Sequence, residues 1–237
     1  MNTKEFSESF DTLVNSYNTG IALGDQDPQR GVALDEYEKS LFLTKAQEEI
    51  VVNLYNGRNP YGVSFERTEE MRRYLESLVK TKVYSAEEQV SGTGVSDYSV
   101  FYKLKDDVAF ITMEQVTYDD ESLGCYNGST AAVYPITQDE YGKIKNNPFR
   151  GPTKYKVVRL DSGENIVDLV SKYKIGKYLI KYLSKPKPII LEDLPDGLTI
   201  EKSSERTECT LHPILHHTIL ERAVQIALQV KGTNVTK

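Results

Sequence analysis

Apolar residues recur at helical spacing near both ends of this chain and in strand-like runs through its middle, and that change of period excludes most folds at once. Phe6, Phe10, Leu13, Val14 and Tyr17 form one stripe at i, i+4, i+7, i+8 and i+11, which predicts a helix from Thr3 to Asn18 ended by Gly20. Two capping boxes follow, Asp35-Glu36-Tyr37-Glu38 and Thr44-Lys45-Ala46-Gln47. The second is favoured, because Ala46, Ile50, Val51 and Leu54 run from it to the Asn56-Gly57 stop. Thr68 opens a third helix with Glu69 and Glu70 in its first turn and Met71, Leu75, Leu78 and Val79 on one face. At the far end, Pro213 suits a first turn, and Leu215, Ile219, Ala223, Ile226, Ala227 and Val230 continue the apolar face to Gly232.

Between these ends the runs are rich in Tyr, Phe, Val, Ile and Thr. Tyr98–Leu104 and Val108–Tyr118 flank Lys105-Asp106-Asp107 and predict a hairpin. Ala131–Pro135 predicts a further strand, and Thr137 opens a short helix that Asn146-Asn147-Pro148 must end. Tyr155–Leu160 and Ile166–Ser171 join across Asp161-Ser162-Gly163, and Lys177–Leu183 precedes the closing Lys185-Pro186-Lys187-Pro188. Segregated rather than alternating elements define an α+β fold: N-terminal helices, a central antiparallel β meander and a long C-terminal helix. The corresponding division is a helical segment over 1–84, a mostly antiparallel β region with one short helix over 85–208, and a C-terminal helix over 209–237 packing back on the N-terminal helices. Residues 18–33, with Gly20, Gly24, Asp25-Gln26-Asp27-Pro28 and Gly31, read as a long partner-contacting loop. Together with Ser91–Ser96 it is expected to be mobile in the free subunit and ordered by neighbours.

Composition narrows the function. The 237 residues suffice for one large or two small domains. A net charge of −6 argues against a surface that embraces nucleic acid throughout, since counterion release needs a positive footprint. No apolar run approaches the roughly 20 residues that span a bilayer. Met1-Asn2-Thr3-Lys4-Glu5 lacks an export signal, so the expectation is a chain made and kept in the cytosol, without membrane contact. Cys125 and Cys209 are too few for a disulfide scaffold and read as buried thiols. The 16 tyrosines, with no tryptophan, suit subunit interfaces and sheet edges equally.

Three constellations invite chemistry. Cys209, His212 and His216 have ligand-type spacing for zinc, but only the two histidines share a helix face and no second ligand pair accompanies them, so the imidazoles are expected to cap amides or pack, with no metal and no cofactor. The segment from Lys172 to Lys187 carries six lysines, no acid and interleaved Tyr173, Tyr178 and Tyr182. It reads first as a solvated sheet edge, second as a subunit contact complementary to the acidic stretch Glu192–Glu208 of a neighbouring copy, and third as a nucleic-acid track. Nucleophile motifs, a phosphate loop and a dinucleotide fingerprint are absent, and Cys125 has no histidine near it in sequence. No enzyme is indicated.

The run Leu34-Asp35-Glu36-Tyr37-Glu38-Lys39-Ser40-Leu41-Phe42-Leu43-Thr44-Lys45-Ala46-Gln47-Glu48-Glu49-Ile50-Val51, then Phe65–Glu70 and Arg72–Leu75, resembles structural virion proteins of tailed bacteriophages. Tyr178–Leu191, Cys209–Pro213 and Ile219–Val224 resemble the strand, loop and C-terminal helix of short-tail adaptor or collar-ring proteins, most closely the ring proteins of crAss-like phages of gut Bacteroidetes. The likeness covers about half the chain, at both ends, and lies in packing residues rather than chemistry. It implies a virion protein assembled in the host cytoplasm as a twelvefold ring at the head–tail connector. Such a ring binds the portal and neighbouring ring or tail proteins and extends the channel through which DNA passes without sequence-specific binding. The interface residues it suggests are Leu215, Ile219, Arg222 and Ile226 on the terminal helix. The lysine and tyrosine segment adds Lys177, Lys181, Lys185, Tyr178 and Tyr182. A nucleic-acid-binding module and another tail- or capsid-associated structural protein remain the alternatives.

Overall fold

The Phe6 stripe does form a helix, α1 (Thr3–Ile21), in which Phe6, Phe10 and Val14 are buried. The structure is a computed structural model and describes residues 1–21, 34–59, 62–145, 147, 149–195 and 197–232. Helix α1 runs past Gly20, so residues 18–21 are helical rather than loop; the rest of the expected loop lies outside the described residues. Helix α2 (Glu36–Asn56) begins at the first capping box, not the favoured second: Asp35 accepts from the Glu38 amide at 2.6 Å, and Gly57 ends the helix at φ 75°. Thr44 is an interior residue of α2, because its hydroxyl is engaged elsewhere. Thr68 caps α3 (Glu69–Tyr74), as the sequence indicates. That helix is only six residues long, and the stripe stops at Leu78. Val79 instead starts a strand and is 42% exposed, since the alternation of Val79-Lys80-Thr81-Lys82-Val83-Tyr84-Ser85 outweighs one further helical position.

The chain divides into two units, Met1–Leu78 with Pro186–Lys237, and Val79–Lys185. In the first, α5 (His216–Gly232) packs on α2 and α1 through Leu215 just ahead of it and through Ile219, Leu220, Ala223, Val224, Ile226 and Ala227. Lys39 of α2 is 3% exposed, with its Nζ 2.7 Å from Asp11, 2.9 Å from Glu36 and 3.1 Å from Ser7 Oγ. Burial would lower its pKa, but Asp11 and Glu36 outweigh burial and leave it raised, so the ammonium persists between α1 and α2.

Helix α2 also holds the chain that returns from the second unit. Its buried Ser40, Thr44 and Gln47 lie about 4.5–6 Å apart along one helix face, close to the roughly 6.6 Å that two residues span in extended chain. Leu191 N donates to Ser40 Oγ at 3.0 Å, Ile189 N to Thr44 Oγ1 at 3.1 Å, and Gln47 Nε2 to the Lys187 carbonyl at 2.7 Å. On its other edge the same segment exchanges two bonds of 3.0 Å between Ile190 and Thr207.

Among its described residues the second unit holds eight strands, β1 (Val79–Ser85), β2 (Gln89–Val90), β3 (Ser99–Lys103), β4 (Val108–Tyr118), β5 (Thr130–Pro135), β6 (Lys156–Asp161), β7 (Ile166–Val170) and β8 (Ile175–Ser184). They form one sheet in the order β1-β8-β4-β5-β6-β7-β3-β2. The α+β class and the β6–β7 hairpin match the sequence. The predicted hairpin across Lys105-Asp106-Asp107 does not form: β3 pairs with β2 and β7, while β4 pairs with β5 and β8. The long β4 and β8 find each other because their inward residues, Val116 opposite Tyr178 and Glu114 opposite Ile180, complete the core. Strands β5 and β6 run parallel, joined through α4 (Gln138–Ile144), which Thr137 caps. Tyr141 and Ile144 of α4 cover Val158, Leu160 and Val170 on the outer sheet face. The sheet curls: Tyr84 at one edge meets Tyr102, next to the other edge, at 5.9 Å between ring centroids.

Replacing Gln47 by Ala leaves the Lys187 carbonyl without its donor in a buried site and is expected to cost about 2–3 kcal/mol in urea unfolding. The exposed neighbour Glu48→Ala is expected to stay within about 0.5 kcal/mol of the parent.

Candidate functional site

The lysine and tyrosine segment is split by the pleat of β8. Lys177 and Lys181 are exposed on one face, whereas Tyr178 and Tyr182 point inward at 0% and 1% exposure; Lys185 is exposed just past the strand. Buried rings cannot stack on bases, so this segment presents no aromatic track. Nor does it guard an edge, because β8 lies between β1 and β4. Edge lysines stand on β1 instead, where Lys80 pairs with Asp107 and Lys82 with Glu88, both at 2.8 Å.

Five of the 16 tyrosines, Tyr84, Tyr102, Tyr118, Tyr178 and Tyr182, are buried in this interior. Tyr84, Tyr102 and Tyr178 form a ring cluster with centroids 5.3–5.9 Å apart. Their hydroxyls are supplied with partners: Tyr84 accepts from the Lys105 amide at 3.3 Å, Tyr102 accepts from Gln89 Nε2 at 3.2 Å, and Tyr178 donates to Glu114; nearby, Tyr182 donates to Asp107 at 3.3 Å. Glu114, 5% exposed at its side chain, faces Arg159 at 2.9 Å. Burial raises the pKa of Glu114 against the pull of Arg159, and burial beside that carboxylate raises Tyr178 as well.

On the terminal helix, Leu215, Ile219 and Ile226 are buried inside their own unit. Arg222 grips Glu49 of α2 with Nε and Nη2 at 2.9 and 2.8 Å. Above this pair opens a groove of about 480 Å³ floored by Ile50, Leu54, Met71, Tyr74 and Leu215. The four terminal-helix candidates thus pack within their own unit, and the exposed positions of α5 are His217, Thr218, Glu221, Gln225, Gln229 and Val230, the last expected on the buried face but 48% exposed because it lies beyond the stretch that packs on α1 and α2.

Cys209, His212 and His216 each have a separate protein partner. Cys209 donates to Gln47 Oε1 at 3.3 Å, and burial raises its thiol pKa. His212 Nδ1 accepts from the Ile214 amide at 3.3 Å, and its ring lies 5.8 Å from Tyr74. His216 lies between the Leu211 carbonyl, 3.1 Å from Nε2, and the Met1 nitrogen, 2.7 Å from Nδ1. Among the described residues, no three His, Cys, Asp or Glu side chains are grouped to hold a metal. Cys125, expected buried, is exposed, because it sits on a 3₁₀ turn (Glu121–Tyr126) rather than a strand. Sequence reasoning missed the α2 ladder, the Glu114–Arg159 pair and an exposed aromatic patch around Tyr155. Only the last had a visible signal, the absence of any acid from Tyr141 to Leu160.

In both units the polar side chains described above serve packing, as in a structural protein. The comparisons give that class a family. The model of phage tail ring protein 3/4 matches residues 1–237, and the chain belongs to that family. It is 50% identical over 238 residues to Ring protein 3 of Bacteroides phage crAss001, covering 100% of this chain and 98% of that protein. Ring protein 4/5 of the same phage is 32% identical over 236 residues, covering 96% and 92%. The chain is therefore a ring protein of crAss-like phage type, a structural component of the virion associated with the tail. No helix among the described residues is long and apolar enough to cross a membrane.

Burial holds the His216 imidazole below its ordinary pKa of 6.5, partly opposed by the Leu211 carbonyl and reinforced by the Met1 amine, His217 and His212. The folded state therefore binds fewer protons than the unfolded state just below that value, and stability falls as pH falls through it. Between about pH 7 and pH 5 the melting temperature should drop, and the drop should shrink in His216→Gln. Glu114, with its pKa raised, acts in the opposite direction in its own window, so the difference between parent and variant is the quantity to read.

Proposed function

We propose that this ring protein assembles with itself into a closed, twelvefold ring at the head–tail connector. There it binds the portal and the adjoining ring or tail proteins and extends the channel used in genome ejection. It acts by assembly rather than catalysis. The observation that carries this reading is the full-length match to Ring protein 3, half of whose residues are identical. Ring closure needs a heterologous contact, one face of a subunit against a different face of the next. The net charge of −6 supports a lumen that repels phosphate and lets DNA slide, where a basic lumen would hold it. Assembly in the host cytoplasm and residence in the virion at the head–tail vertex follow from the same reading.

Native mass spectrometry of the purified chain, alone and with the portal protein of the same phage, tests this. The expected result is a closed ring, or a portal complex whose ring stoichiometry equals that of the portal. A chain that stays monomeric and ignores the portal overturns the connector reading.

A further inference from the structure

The second unit carries one surface on which the usual sorting of aromatic residues fails. Phe149 is 92% exposed, Tyr155 62%, Tyr134 50% and Tyr126 46%. These are the bulky residues that dominate binding energy when an interface covers them. Lysines link them: Lys154 Nζ stands 4.1 Å from the Tyr126 ring centroid and 4.9 Å from that of Tyr155, and Lys156 Nζ stands 5.3 Å from Tyr134. Lys156 also donates to the Arg150 carbonyl at 3.0 Å, which fixes the backbone next to Phe149. From Tyr141 to Leu160 the sequence has six basic residues and no acid, within a chain of net charge −6.

An acidic counterpart exists in the first unit. Residues 190–194 and 203–208 form a hairpin-like arm, bonded from Leu194 N to Ser204 O at 2.8 Å and from Arg206 N to Asp193 Oδ1 at 2.6 Å. Reciprocal bonds of 2.9 Å between Ile200 and Ser203 close it over Glu201 and Lys202, whose φ of 48° and 66° make a primed turn. Glu192, Glu205 and Glu208 are exposed on this arm. Its internal bonds preorganise it, which lowers the ordering cost of docking.

We propose that the Tyr126–Tyr134–Phe149–Tyr155 patch, with Lys154 and Lys156, is the docking surface for the acidic arm of a second copy of this chain. This rests on the self-assembly reading above and names the two faces that would make the heterologous contact. Protein is favoured over nucleic acid as the occupant because the lysines already lie against tyrosine rings, while the arm offers both carboxylates and the exposed Leu198 for the aromatic floor.

The test compares self-association of the full chain by native mass spectrometry and sedimentation. Lys154→Glu with Lys156→Glu should weaken assembly by more than about tenfold, as should Glu205→Lys with Glu208→Lys. Phe149→Ser should weaken it with an unchanged melting temperature, since that side chain touches little of its own subunit. Mixed in equal amounts, the two reversed variants should assemble again into oligomers of even number, because each reversed face then meets its opposite; misfolding could not give that rescue. Assembly that ignores the reversals, or no rescue on mixing, overturns the inference and leaves the ring reading standing. A parent chain monomeric at every concentration, both alone and with the portal protein, overturns the ring reading and the inference with it. Low-salt DNA binding that is lost in the lysine variant, with assembly intact, assigns the patch to nucleic acid and overturns the proposal.

Discussion

Helix α2 holds the first unit together, because it binds the backbone of a segment that arrives after more than a hundred intervening residues. Pro186 and Pro188, which have no amide hydrogens, alternate with Lys187, Ile189 and Leu191, whose backbone groups face α2. Ser40, Thr44 and Gln47 supply what is needed at alternate positions, two acceptors for the Leu191 and Ile189 amides and a donor for the Lys187 carbonyl. Each is fully or nearly fully buried, where an unpaired backbone group would cost about 1–3 kcal/mol. The same helix receives α1 through the Lys39 cluster and α5 through Glu49 and Arg222. Polar contacts thus fix the positions of segments whose apolar faces alone would tolerate sliding.

The sheet unit uses a related device. A buried ion pair such as Glu114–Arg159 contributes little net stability, since desolvation of both groups offsets their attraction. Its effect is on alternatives. A one-residue slip of β4 on β8 would turn Glu114 outward and leave Arg159 and the Tyr178 hydroxyl without it, so the pair penalises wrong registers. This matters in a sheet with β-bulges along the β4–β8 pairing, where the backbone ladder alone specifies register weakly.

Local signals set most elements, and long-range competition decided the rest. Period and capping chemistry located α1, Thr68, Thr137 and the β6–β7 turn because each depends on residues within a few positions of one another. Helix α2 starts at the first of two capping boxes, although the local apolar stripe from Ala46 favours the second. What separated them was the use of the Thr44 hydroxyl by Ile189, which lies far along the chain. The false β3–β4 hairpin has the same origin: a turn-like tripeptide permits a hairpin, but strand partners are chosen by the core they complete. The lysine and tyrosine segment shows the limit most clearly. Its composition suggested one face, and the pleat sent the two residue types to opposite sides. On α5, apolar periodicity marked a face that is buried from Leu215 to Ala227, though not at Val230, and that face is buried within the subunit, which periodicity cannot distinguish from burial in an assembly.

That last ambiguity bears on how such a protein functions. Helix α5 satisfies its apolar face against α1 and α2, and the sheet satisfies most of its tyrosines internally, so the subunit folds without leaving its main cores open. Contacts between subunits must then be made by what remains outside, which is mostly polar and charged. Such interfaces gain specificity from charge complementarity and affinity from a few exposed aromatic anchors. A ring repeats one contact at every junction, so a modest contact suffices once closure makes the final junction intramolecular. A subunit stable alone, with a polar exterior and few anchors, is therefore able to stay dispersed after synthesis and to assemble where neighbours raise its local concentration.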